Sequence, residues 1–198
     1  MLAIIFWFAM SKKVLLCNDP VLLKSINTLK YKETFLVNSK WPRGTKIYRC
    51  INQPYLVQLS SSKTGLKLPY GMVPDPNNAN AHLCDVEQTK DTRDFVKCVE
   101  QHVQLQIFPK FPAASPESLL RLRVTSRTLF HQLDESGDSS VVIKPPPILY
   151  PGAIINPVIS VGLTFFHETQ SRLDFHLDHA LVLSAGEPPN TFLNIFCR

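Results

Sequence analysis

One set of residues in this chain has the types and spacing to hold a nucleic acid. Lys40, Trp41 and Arg43 lie in the run Ser-Lys-Trp-Pro-Arg-Gly. A Trp flanked by two cations, next to Pro and Gly, points to an exposed turn; the alternative is a Trp that caps the core. Lys46, Tyr48 and Arg49 follow in Lys-Ile-Tyr-Arg-Cys, where a strand would put Lys46 and Tyr48 on one face and Arg49 on the other. Tyr55, Lys67 and Tyr70 continue the series, and Arg121 and Arg123 share a face of Leu-Arg-Leu-Arg-Val. Cations draw phosphates by releasing counterions. Tyr and Trp rings stack on unpaired bases without reading sequence. Interleaved, the two residue types are what a groove for a single strand requires, although a salt-bridged face explains Arg121 and Arg123 equally well.

The distribution of charge supports the same reading. The chain has 198 residues and a net charge of 21 − 16 = +5. From Ser11 to Tyr70 there are 11 Lys/Arg against two acids, so this segment carries 11 − 2 = +9. From Gly71 to Ser140 the balance is 7 − 10 = −3, and from Val141 onward it is 3 − 4 = −1. The positive excess therefore lies in the first third, with four of the five tyrosines and Trp41. A basic segment of this kind favours polyanionic partners.

Other chemistries find little support. The seven glycines form no G-x-G pair, which removes dinucleotide fingerprints and phosphate loops. No G-x-S-x-G elbow occurs. The five cysteines are spaced at least 14 residues apart, without a C-x-x-C motif. Scattered thiols of this kind suit a reducing, intracellular compartment, the cytoplasm or nucleus of a host if the chain is viral. Asp174, His176 and Asp178 share a strand face and have the donor types of a divalent-cation site, but no second acidic cluster completes the set. The expectation is no enzyme, no catalytic residue, no metal and no cofactor.

Several elements must position these residues. Short apolar strands are expected over 13–17, 33–38, 46–50, 55–60 and 83–86, and 21–26 is ambiguous between helix and strand. Phe95, Val99 and Val103 recur at fourfold spacing, predicting an amphipathic helix over about 91–106, capped by Asp91 or Thr92. Ser115-Pro116-Glu117 reads as one short helical turn before a strand at 120–124. Residues 153–166 form a long β-branched strand in which Gly162 marks a bulge or a sharp coil. A polar loop at 167–171 leads to an alternating strand through 183, and 191–196 is a last strand or short helix. The apolar run 1–10 is too short to span a bilayer. It reads as an N-terminal extension ahead of a start at Met10, or as a buried first strand. Residues 11–198 then form a single β-rich domain. The expected fold is mainly β, an OB-like antiparallel barrel with one packed helix, with a β-sandwich or jelly roll as the alternative.

The order of motifs from about 67 to 184 resembles the single-stranded DNA-binding proteins of large nucleocytoplasmic DNA viruses, especially those of algae. Lys67-Leu68-Pro69-Tyr70-Gly71 resembles their small-Pro-aromatic-Gly signature. Gly152-Ala153-Ile154-Ile155-Asn156-Pro157-Val158-Ile159, the pair Phe165-Phe166 and the amphipathic stretch 172–183 resemble their closing unit. The aromatic pair has Phe where that family often has Trp, and the polar loop lacks its Gly. The resemblance implies an OB-like protein that coats single strands during viral replication or repair. The implied partner is single-stranded DNA, with RNA as the other candidate strand, replication proteins as companions and self-association left open; no membrane role is expected. A structural reading, a viral capsid or assembly component, goes with the sandwich alternative.

Overall fold

The computed structural model describes residues 12–34, 45–61, 64–76, 78–107, 118–134, 140–144, 146–167 and 170–188. The Trp41 loop, residues 1–10, 115–117 and 191–196 therefore lie outside the described residues, as does the 35–38 part of the strand expected at 33–38. The chain is mainly β with two helices, in the order β1 (Lys13–Leu16), α1 (Pro20–Ile26), β2 (Tyr31–Thr34), β3 (Lys46–Cys50), β4 (Tyr55–Gln58), β5 (Leu66–Leu68), β6 (Met72–Asp75), β7 (Asn78–Glu87), α2 (Lys90–Ile107), β8 (Leu119–Thr125), β9 (Leu129–Leu133), β10 (Ser140–Val142), β11 (Ala153–His167) and β12 (Gln170–Ser184). Among the described residues the twelve strands join one sheet, seven of them along the path β1-β4-β11-β12-β8-β7-β6, with β2, β3, β5, β9 and β10 branching from it. The mainly-β architecture with a packed helix is as expected. The ends of the path, β1 and β6, do not pair, so the sheet stays open rather than closing into a barrel.

The spine is the hairpin of β11 and β12. One edge of β11 pairs with β12 along its length, while the other takes three partners in turn: Ala153–Ile155 with β5, Val158–Ile159 with β4, and Leu163–Phe166 with β3. Pro157 cannot donate to a ladder, and it sits at the switch from β5 to β4, where its missing N–H costs no pairing. Its carbonyl still accepts from Leu59 N at 3.0 Å. Register shifts at 154/155, 158/159 and 161/164 bend the hairpin. Gly162 lies in the third, as its sequence context predicts. A Cβ there would sit 2.7 Å from His176 Nε2 and 2.8 Å from the Asp174 carbonyl, so the close approach of β12 requires glycine.

Helix α2 packs Phe95, Val96, Val99 and Val103 on one face of the sheet. Its start is set by Thr89, whose hydroxyl accepts from Thr92 N at 3.2 Å, a cap two or three residues ahead of the expected one. The Thr92 hydroxyl in turn donates to the Leu59 carbonyl at 3.2 Å and ties the helix to the end of β4. The ambiguous segment becomes α1, for a local reason: Asp19 caps Val21 N at 2.7 Å and Pro20 fills the first turn. Leu22 and Ile26 of α1 join the same core as Leu68, Val86, Leu122, Ile155 and Phe175. Each such side chain, fully removed from water, contributes roughly 1.5–3 kcal/mol. At the far edge, β9 lies parallel to β12 and buries a stacked pair, with His131 Nε2 3.1 Å from His179 Nδ1. Burial, then the neighbouring His131, pushes His179 down to about 4, so its ring is neutral at pH 7.

Two tests follow from this packing. Gly71 has φ +69°, and a Cβ there would meet the backbone of Leu149 and, at 2.7 Å, the Tyr150 carbonyl carbon. Gly71→Ala should cost at least about 2 kcal/mol in urea unfolding; a loss below half of that would refute the tight crossing. Glu100 sits half-buried on α2 with Oε2 shielded and unpartnered among the described residues, and burial raises its carboxyl from 4.5 to about 7. The unfolded chain therefore ionises first. The penalty is absent below pH 4.5, grows as pH rises, and is complete above about pH 7. Glu100→Gln should gain Tm over the wild type between about pH 4 and pH 8; a Tm difference that does not change with pH would contradict this.

Candidate nucleic-acid interface

The sheet has a helix-packed face and a second face. On the second face the register aligns Lys32 with Arg49 across β2 and β3, and His176 with Arg123 and Leu83 across β12, β8 and β7. Arg49 also pairs in register with Leu163 of β11. Alternation places Lys67, Arg121, Asp85 and Val73 on the same side, because their neighbours Leu66, Leu68, Leu122, Val86 and Met72 point into or against the core.

The two arginines of β8 differ sharply. Arg121 makes a two-pronged bond to Asp85, Nε to Oδ1 at 2.8 Å and Nη2 to Oδ2 at 2.9 Å, with 55% of its side chain exposed. Arg123 is 17% exposed, and its Nη2 lies 3.2 Å from Asp174 and 3.6 Å from Asp75, whose side chains are 4% and 2% exposed. Arg123 thus sets one positive charge against two buried carboxylates. Burial also lowers the His176 pKa, against the pull of Asp174 and Asp178, and raises that of Asp178, against a hydrogen bond from Ser160. The middle of this face is therefore polar and shielded, and Arg123 Nε, His176 Nε2 and Asp178 Oδ2 are buried there without a hydrogen-bond partner among the described residues. Among the described residues no group of three His, Cys, Asp or Glu is placed to hold a metal ion. Asp174 instead answers Arg123.

Lys32 and Arg49, on the second face, and Lys46, on the opposite face of β3, lie at the hairpin of β2 and β3. Lys32, Lys46 and Arg49 are exposed, and among the described residues none of them makes a salt bridge. Tyr48 is half-buried between them on β3. The segment joining the two strands carries Lys40, Trp41 and Arg43, which lie outside the described residues. Tyr55 is half-buried, pairs in register with Lys13 and packs against the core. Lys67 is exposed on β5. Tyr70 is 61% exposed and lies with Arg121 at the β6–β8 edge, away from the hairpin. The structure therefore gathers Lys46, Tyr48 and Arg49 at one end, and Tyr70 and Arg121 at the other. Sequence reasoning missed Lys32 and Asp85. Only the pairing register reveals them, since Lys32 faces Arg49 and Asp85 faces Arg121.

No family model matches the chain, and no curated protein matches it. Solved structures do align with it. The single-stranded DNA-binding protein from bacteriophage Enc34 aligns at 12% identity and TM-score 0.41, over 82% of this chain and 94% of that one. The same phage protein in complex with ssDNA aligns at 12% identity and TM-score 0.40, over 77% and 97%. The single-stranded DNA-binding protein gp2.5 of bacteriophage T7 aligns at 10% identity and TM-score 0.37, over 67% and 94%. These sources are bacteriophages rather than large nucleocytoplasmic viruses.

Among the described residues no helix is long and apolar enough to cross a membrane, and Cys17, Cys50, Cys84 and Cys98 are free thiols. The two arginines provide a direct test. Arg123→Met leaves two buried carboxylates uncompensated and should cost about 3–5 kcal/mol. Arg121→Met, at an exposed pair, should cost no more than about 1 kcal/mol. Equal losses in urea unfolding would show that burial does not separate them.

Proposed function

We propose that this chain is a non-enzymatic, sequence-independent single-stranded DNA-binding protein, of the kind that acts in viral replication or repair. The observation that carries the reading is the segregation of charge. The arginines of β8 are answered by carboxylates, while Lys32, Lys46 and Arg49 stand exposed without salt bridges among the described residues. They flank the segment with Lys40, Trp41 and Arg43, inside the third of the chain that carries +9 (11 − 2). In this reading the hairpin cations hold phosphates, and Trp41, in the segment between the two strands, stacks on a base. Lys67, on the same sheet face, extends the basic surface toward β5.

Fluorescence anisotropy against oligo-dT and duplex DNA across a salt series tests it. The wild type should prefer the single strand, with affinity falling as salt rises. Lys32→Ala with Arg49→Ala should lower the log–log salt slope by about 1.4, or ~0.7 for each phosphate of a single strand that is no longer neutralised. Trp41→Ala should weaken binding by about 1–3 kcal/mol with the slope unchanged. Equal affinity for single and double strands at low salt would sink the proposal.

A further inference from the structure

At the sheet edge opposite the basic hairpin, a concavity of about 220 Å³ opens between the turn after β5 and the strands β6, β7 and β8. Tyr70, Val73, Pro74, Leu83, Asp85 and Arg121 line it. We propose that this concavity is a base subsite, taking one unpaired nucleobase between the Tyr70 ring and the Arg121 guanidinium. The inference rests on the single-strand reading above, and it assigns different roles to the two ends of the face: phosphates at the hairpin, a base here.

Three observations carry it. First, Tyr70 is exposed by construction. It occupies the third position of a turn in which Gly71 N donates to the Leu68 carbonyl at 3.4 Å, with Pro69 at the second position. The turn is anchored on both sides, by Gly152 N to the Leu68 carbonyl at 2.8 Å and by Met72 N to the Leu149 carbonyl at 2.9 Å. The anchored turn fixes the Tyr70 backbone and presents a 61% exposed aromatic ring at the concavity. Second, the apolar lining includes Val73, itself 44% exposed, and Leu83, which a flat, weakly polar ring suits better than a phosphate does. Third, Asp85 grips Arg121 with both oxygens. That fork fixes the guanidinium plane and neutralises its charge, which makes Arg121 a poor phosphate ligand and leaves its flat face for stacking. The concavity lies on the same sheet face as Arg49, five strand spacings away from β3 through β11, β12, β8 and β7 to β6. At ~4.8 Å per spacing that is roughly 24 Å along the sheet, a separation that one bound strand would bridge.

The test compares oligo-dT with an abasic strand of equal length, by anisotropy across a salt series. Tyr70→Ala and Arg121→Lys should each weaken oligo-dT binding by roughly 5- to 150-fold, the equivalent of one stacked base. Both variants should leave the salt slope and the affinity for the abasic strand unchanged, and Tyr70→Phe should bind like the wild type. Arg121→Lys keeps the charge, so a phosphate interaction would survive it while a stacking plane would not. Circular dichroism confirms folding of each variant. Unchanged oligo-dT affinity in Tyr70→Ala, or an equal loss on the abasic strand, would overturn the subsite alone. A wild type that binds neither strand would overturn the single-strand reading and the subsite with it.

Discussion

The pairing of β11 with β12 is the constraint on which the other elements depend. Ten of the twelve strands lie elsewhere in the chain, and five of them, β3, β4, β5, β8 and β9, pair directly with this hairpin. A regular hairpin of this length would present a straight edge to a single partner. The three register shifts and Pro157 divide the β11 edge into separate stretches, each matched to a short strand. Short strands can form there because the spine supplies the hydrogen-bonding template, which their own lengths of three to five residues would not. The bend at Gly162 also brings the His176 ring against the backbone of β11. The polar middle of the second face is thus a product of the same irregularity that shapes the spine.

That polar middle determines which cations are available to a ligand. A formal count of basic residues treats Arg121, Arg123 and Arg49 alike. In the folded chain Arg123 is committed to two buried acids, Arg121 is held flat by one partly buried acid, and Arg49 lies exposed beside Lys32. The three guanidiniums are therefore suited to three tasks: internal neutralisation, presentation of a plane, and attraction of an anion. The distinction comes from burial and partner geometry rather than residue type.

The same contrast explains how far the sequence can be read. Helix α2 is legible because Phe95, Val99 and Val103 repeat at one spacing, and β11 and β12 are legible from their length and alternation. The polar loop is narrower than the expected 167–171, since the strands run to His167 and resume at Gln170. Strands β5, β6, β9 and β10 are not legible although β1, β3 and β4, of four or five residues, are: β6 carries Pro74, and β5 and β10 have only three residues each. In α1 the cap Asp19 and Pro20 are the deciding signals, local features that the apolar run after them obscures. The shared face of Arg121 and Arg123 follows from alternation alone. Their carboxylate partners do not: Asp85 is 36 residues from Arg121, and only the register of β7 on β8 brings the two together.

The place of the spine in the chain has a consequence for synthesis. On β4, Val57 pairs with Ile159, and 159 − 57 = 102 residues separate them. At ~5–20 residues per second, β4 leaves the ribosome roughly 5–20 s before its central partner does. Throughout that interval β3 and β4 can pair only with β2 and β1, and the edges of β3, β4 and β5 that β11 covers stay open. The nascent chain must stay soluble while it waits, and the high density of lysine and arginine in its first third provides the mutual repulsion that keeps neighbouring chains apart.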